Sequence, residues 1–211
     1  MFESPSSALR THATADPASQ TTHSAGEGPR LAPIDGYAGF WLAILRAAFR
    51  WMFGKVMAPL RVIFPRIPGY AFPHIVLMRF ADRGLSLPRP LAHVLSMRVS
   101  RNNGCGFCYD LHKAAFVLDR PDPAALETAT RALSDPSLDA HSRAILAYAD
   151  EVIANGDVSD VTFRELTGLF TERQVVEIVW LAAFVIYTNM LARPLRLQPE
   201  GFCALAHAKT H

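Results

Sequence analysis

The sequence predicts an all-α bundle, and three observations carry that expectation. Apolar residues recur at helical spacing in segment after segment. Helix-capping and helix-stopping residues punctuate them at short intervals, and no stretch alternates apolar and polar residues between turn signals.

Residues 1–36 are rich in Ser, Thr, Ala, Pro and Gly without an apolar period, and predict a disordered tail ahead of a single domain over 37–211. From residue 37 the texture changes. Leu42, Leu45, Phe49, Met52, Phe53 and Val56 fall within about a 100° arc at helical pitch, which predicts a helix over 41–56. Arg46 and Arg50 flank that arc, and Trp51 points to the opposite side, so this helix is expected to meet a second surface. Pro59, Pro65, Pro68 and Pro73 then turn the chain repeatedly. A short helix around 74–83 ends at Gly84, and Pro88 and Pro90 lead into a helix over 90–102 that Asn103-Gly104 stops. The next helix starts at about Cys105 and runs to Leu118.

Asp122-Pro123 places an N-cap before a proline at the first helical position and opens a helix over 123–133. Residues 140–154 carry Ile145, Leu146, Ala149, Val152 and Ile153 on one face, closed by Gly156. Phe163, Leu166, Leu169 and Phe170 mark another helix, and Thr171 with Gln174 forms a capping-box pattern opening 172–192. That last helix has 15 uncharged residues between Glu177 and Arg193. A bilayer span needs roughly 18–20, so it is expected at the centre of the bundle.

Composition narrows the function. Half of the 211 residues are hydrophobic and 19% are charged, which excludes a chain disordered throughout. A net charge of +2 offers no global field for nucleic acid. The total hides three zones: 1–36 holds two bases against four acids, 37–83 seven bases against Asp82 alone, and 84–211 twelve against fourteen. A mean hydropathy of +0.14 raises the question of a membrane. Arg46, Arg50 and Lys55 interrupt every window of spanning length in the first helix, so a packed helix or subunit interface is expected over membrane-surface contact. The start Met-Phe-Glu-Ser-Pro-Ser lacks a basic region and an apolar region, and a cytoplasmic location is the expectation.

Three cysteines do not make a disulfide scaffold. Cys105 and Cys108 form a CxxC pair, while Cys203 stands alone and is expected as a buried thiol. His112 completes the pattern C-x2-C-x3-H. If the helix begins at Cys105, the three side chains lie within about 60° of one another. Two thiols able to close a reducible disulfide and a histidine able to take a proton then share two turns. Position near the helix start favours Cys105 as the reactive thiolate, whereas the i, i+4 spacing to His112 favours Cys108. Two other arrangements use the same residues. One is a zinc site with His93 or Cys203 as fourth ligand, although no second CxxC or paired histidine motif completes it; the other is two structural cysteines beside a chance histidine. Phe107 and Tyr109 fit a pocket wall or core, and no spacing nominates His74, His141 or His207.

The run Val99-Ser100-Arg101-Asn102-Asn103-Gly104-Cys105-Gly106-Phe107-Cys108-Tyr109-Asp110-Leu111-His112 resembles the core of the alkylhydroperoxidase-D-like, or carboxymuconolactone decarboxylase, family. Ser142–Glu151 and Phe170–Leu191 resemble the family's following helices, so the likeness extends over roughly 53–205. The resemblance implies an all-α bundle of the alkylhydroperoxidase-D-like type that assembles as a homo-oligomer. It also implies a peroxidase or disulfide oxidoreductase with Cys105, Cys108 and His112 as catalytic residues and no cofactor or metal. Cys108 would attack a hydroperoxide or disulfide substrate, Cys105 would close the disulfide, and a dithiol protein or small thiol would reset the pair. One departure stands out: redox members carry a Glu twelve residues before the first Cys, where this chain has His93. Two other functions stay open, a lactone-decarboxylase-like lyase on the same fold and a non-catalytic interaction protein using the basic apolar segment 37–64.

Overall fold

The computed structural model describes residues 28–36, 39–119 and 123–205. Among the described residues the body is built of α-helices, with no strand. They are α1 (Phe40–Phe53), α2 (Pro59–Val62), α3 (Ala71–Arg83), α4 (Arg89–Asn102), α5 (Gly106–Leu118), α6 (Pro123–Thr128), α7 (Ala140–Asn155), α8 (Asp160–Leu169) and α9 (Glu172–Ala192). The all-α expectation holds.

Capping chemistry sets the boundaries. Gly54 and Gly156 adopt left-handed conformations (φ 75° and 74°) at the ends of α1 and α7, and Gly104 (φ 68°) turns the chain between α4 and α5. Thr171 and Gln174 form the capping box at α9, while Asp139 and Ser159 cap α7 and α8. The helix expected over 123–133 stops at Thr128. Beyond it the chain turns because neighbouring helices capture its carbonyls. Arg98 donates to those of Ala129 and Arg131, and Arg143 to those of Leu133, Asp135 and Leu138.

Two apolar cores result. The larger joins α4, α7, α8 and α9 around Leu95, Met97, Ile145, Leu146, Leu166 and Ile178. The smaller packs Leu42, Leu60, Val62 and Phe64 of α1, α2 and the turn after it against Cys105, Phe107, Cys108 and Phe202. Arg98 clamps α4 to α7 through a two-pronged pair with Asp150 at 2.6 Å, and Asn102 donates to the same carboxylate. By length and composition α9 could cross a membrane, yet Val175, Ile178, Leu181, Ala182, Val185 and Asn189 are buried within the bundle, as its central placement predicts.

Residues 28–36, part of the expected tail, run without regular secondary structure against the body. Arg30 N–H donates to the Leu195 carbonyl and Ile34 N–H to the Arg61 carbonyl, and Asp35 pairs with Arg61. Residues 1–27 of that tail lie outside the described residues. Along α1, Leu42, Leu45 and Phe49 pack inward and Trp51 is 88% exposed, as the helical arc predicts. The side chains of Met52 and Phe53 lie outside the described residues.

Candidate functional site

The site grows from the α4–α5 turn. Asn103-Gly104 ends α4, Cys105 N–H donates to the Ser100 carbonyl, and Cys105 becomes the N-cap of α5 instead of its first helical residue. Its sulfur accepts the Cys108 N–H at 3.3 Å. Cys105 and Cys108 are joined as a disulfide with their Cα atoms 5.3 Å apart. Both residues are buried.

The two sulfurs differ in surroundings. Cys108 and His112 line a pocket of about 740 Å³, counting its open mouth, and Cys105 is not among the lining residues. Leu60, Ile63 and Phe64 form one wall, α3 supplies Ile75 and Met78, and α9 supplies Phe184 and Leu191. The lining is apolar and aromatic, and among its residues only His74, His112, Cys108 and Thr188 carry polar side-chain atoms. Such a surface suits an apolar ligand.

His112 is pulled down to about 4, first by burial and then by the nearby His93. It is therefore neutral near pH 7 and able to accept a proton from a thiol one helical turn away. His93 is 8% exposed, its ring stands edge-on to Phe116, and its Nε2 lies 2.6 Å from Asp119 Oδ2. Asp119 also accepts from Arg89. Cys108, His112, Phe116 and Asp119 thus form one stripe along α5, with His93 of α4 packed beside it.

Three residues escaped the sequence reading. Asp110 accepts the N–H groups of Glu200, Phe202 and Cys203 and so fastens the C-terminal turn across α5. Pro199 in that turn sits where a Cβ on Gly106 would come within 3.1 Å, so the turn closes over the start of α5. Nothing in the sequence links residues ninety positions apart. Asp119 could have been found by its place eleven residues after Cys108 on the same face. His74, which no spacing nominated, lines the pocket within an aromatic cluster of Phe64, Phe184 and Tyr187, and its buried Nδ1 has no hydrogen-bond partner among the described residues. Burial holds the His74 ring below the usual histidine range.

Cys203 is half-buried, its thiol pushed up by burial, and it packs at the edge of the smaller core. Among the described residues no three His, Cys, Asp or Glu side chains converge as a metal site would require. His207 lies outside the described residues.

No protein-family model and no curated protein matches this chain. Solved structures do. The debrominase Bmp8 superposes with a TM-score of 0.71 at 17% identity, over 86% of this chain and 98% of that one. An uncharacterized peroxidase-related protein from Silicibacter sp. TM1040 gives 0.64 at 19% identity, over 82% and 94%. A protein of unknown function from Agrobacterium tumefaciens, described as a candidate antioxidant defence protein AhpD, gives 0.59 at 22% identity, over 65% and 96%. The chain therefore shares the all-α fold of these AhpD-like and peroxidase-related structures, with Cys105 and Cys108 paired at the head of α5.

Proposed function

We propose that the protein is a thiol peroxidase or disulfide oxidoreductase that acts on bulky apolar substrates. The observation that carries this reading is the placement of Cys108 in an apolar pocket beside a neutral His112, with Cys105 at bonding distance behind it. In the reduced protein, His112 takes the Cys108 proton and the thiolate attacks the outer oxygen of a hydroperoxide. The O–O bond breaks, His112 returns the proton to the departing alkoxide, and Cys108 is left as a sulfenic acid. The Cys105 thiol then attacks that sulfur, water leaves, and the disulfide forms. An external dithiol, protein or small molecule, reduces it by exchange.

The pocket supports Cys108 over Cys105 as the attacking sulfur, since Cys105 does not line it. The lyase alternative is disfavoured because decarboxylation needs a bound carboxylate, and the pocket lining includes no arginine or lysine. The test is hydroperoxide consumption with a dithiol reductant by wild type and Cys108→Ser. Cumene hydroperoxide should be consumed by the wild type alone, and equal rates in the two proteins would sink the reading.

A second reading has its own support. Bmp8 is a debrominase, and a cysteine-to-alanine variant of it has been crystallised with 2,3,4-tribromopyrrole. The apolar lining of the pocket, with Phe64, Phe107 and Phe184 in it, supports a halogenated ring as substrate. In that reaction hydrogen replaces bromine on carbon, the two thiols become the disulfide, and bromide leaves with a proton. Bromide release from brominated pyrroles or phenols under the same reductant separates this reading from peroxide reduction.

A further inference from the structure

The wall of the Cys108 pocket is almost entirely apolar, so each polar group left in it needs a partner of its own. Cys108 and His112 of α5 carry the proposed chemistry. His74 of α3 and Thr188 of α9 have no part in it.

His74 is held as a ring and not as a polar group. Phe64 packs on it at 5.2 Å between centroids, Tyr187 at 5.8 Å and Phe184 at 6.1 Å. Its buried Nδ1 meets no donor or acceptor among the described residues. Phe184, Tyr187 and Thr188 share one face of α9, so the imidazole stands over the turn that carries Thr188. The Thr188 hydroxyl donates to the Val185 carbonyl at 2.8 Å. Its proton is thereby committed, and its oxygen can act toward a ligand only as an acceptor.

These two groups decide what can sit against them. Among the described lining residues there is no arginine or lysine, so an anionic head would be buried without a counter-charge. A carbonyl or an ether only accepts, and offers Thr188 nothing. Burial holds His74 below its ordinary range and so neutral at pH 7, with one nitrogen donating and the other accepting. A hydroxyl fits both partners: it gives its proton to one of them and keeps lone pairs for an imidazole N–H. The remainder of such a ligand meets Phe64, Phe107 and Phe184, which favours an aromatic ring.

We propose that His74 and Thr188 form a hydroxyl-recognition subsite in the pocket, and that the protein takes substrates whose aromatic ring bears a free, uncharged hydroxyl. As a statement about substrates this rests on the redox reading; the binding itself does not. The test is isothermal titration calorimetry at pH 7 on the full chain in its disulfide form. The probes are 2-naphthol and 2-methoxynaphthalene, which share a ring system and differ in the hydroxyl proton. The wild type should bind 2-naphthol about tenfold more tightly, the scale of a well-made hydrogen bond. His74→Phe keeps a ring in the aromatic cluster and should bring the two affinities within about twofold, by weakening 2-naphthol alone. Thr188→Val, the second variant should that one lose its fold, should narrow the ratio about threefold. Equal wild-type affinities would leave solvent as the partner of His74 and overturn the assignment, as would no binding of either probe up to its solubility. A preference that survives both substitutions overturns the subsite. Equal weakening of the two probes in the variants does so too, since it would mean that these side chains only shape the wall. Because no turnover is measured, an inactive protein that still prefers 2-naphthol would count against the redox reading alone.

Discussion

His93 Nε2 sits 2.6 Å from Asp119 Oδ2 across the α4–α5 contact. Asp119 also accepts from Arg89, so the same carboxylate oxygen meets both side chains. The His93 ring is thus held by a carboxylate at the end of the helix that begins with the cysteines. A carboxylate does serve this corner of the site, but it arrives from α5 instead of from position 93.

Removing that partner should cost more than removing the arginine behind it. Asp119→Ala leaves a buried imidazole nitrogen without its partner, and should lower unfolding free energy by about 1–3 kcal/mol. Arg89→Ala should cost under about 1 kcal/mol, because its side chain is 44% exposed and the pair is solvent-screened. Urea unfolding of both variants measures this. Equal losses would mean that the arginine, and not the histidine, is what Asp119 serves.

The position of His112 gives a signed pH dependence. Its value of about 4 in the folded chain lies below the ordinary 6.5, so the unfolded chain binds the extra proton between those values. Stability is then full above pH 6.5 and falls as pH drops toward 4, by roughly 3 kcal/mol from this residue. His112→Gln should flatten the curve in that window. In a proton NMR titration His93→Gln should raise the His112 midpoint, since one of its two depressors is gone. The midpoint should stay below 6.5 because burial is the larger cause.

How much of this was legible beforehand follows from the range of each interaction. Helix periods, the Asn103-Gly104 stop and the Thr171–Gln174 box are local signals, and α4, α5, α7 and α9 lie where those signals put them. Cys105, Cys108 and His112 are neighbours on one helix, so their spacing alone predicted their proximity. The failures are long-range. The end of α6 depends on Arg98 and Arg143 from other helices, and Asp110 meets its partners ninety residues on. In the basic stretch 37–83, Arg46, Arg61 and Arg66 meet carbonyls and Asp35, partners that sequence spacing does not pair with them.

Pocket volume should set substrate preference. Thr188 and Leu191 line the pocket from α9 without belonging to the cysteine machinery. Leu191→Trp adds an indole to a wall that an apolar substrate must contact. It should lower kcat/KM for cumene hydroperoxide by about tenfold, the scale of about 1.4 kcal/mol of lost transition-state binding. Hydrogen peroxide, which needs none of that wall, should lose less than about twofold. A parallel fall for both peroxides would mean that the substitution disturbs Cys108 itself.

Glu177 offers the last test, and it concerns the element that carries the pocket wall into the bundle. Its buried carboxylate accepts the N–H groups of Ser86 and Leu87 at 2.8 Å, the Ser86 hydroxyl, and the Arg173 guanidinium, and so fixes the turn between α3 and α4 to α9. Burial alone would raise its pKa, but bonds from Ser86, Arg173 and Leu87 outweigh that and hold it below the ordinary 4.5. A carboxyl depressed in the folded chain contributes stability above its unfolded value and loses it as pH falls through the folded one. Glu177→Gln should therefore cost about 1–3 kcal/mol at pH 7, where charged acceptors for four donors are lost. The same substitution should cost less at pH 3 than at pH 7, because acid moves the wild-type carboxyl toward its own neutral form. Paired urea melts at the two pH values decide it: a deficit that does not shrink in acid would mean that shape, and not charge, is what Glu177 contributes to the turn.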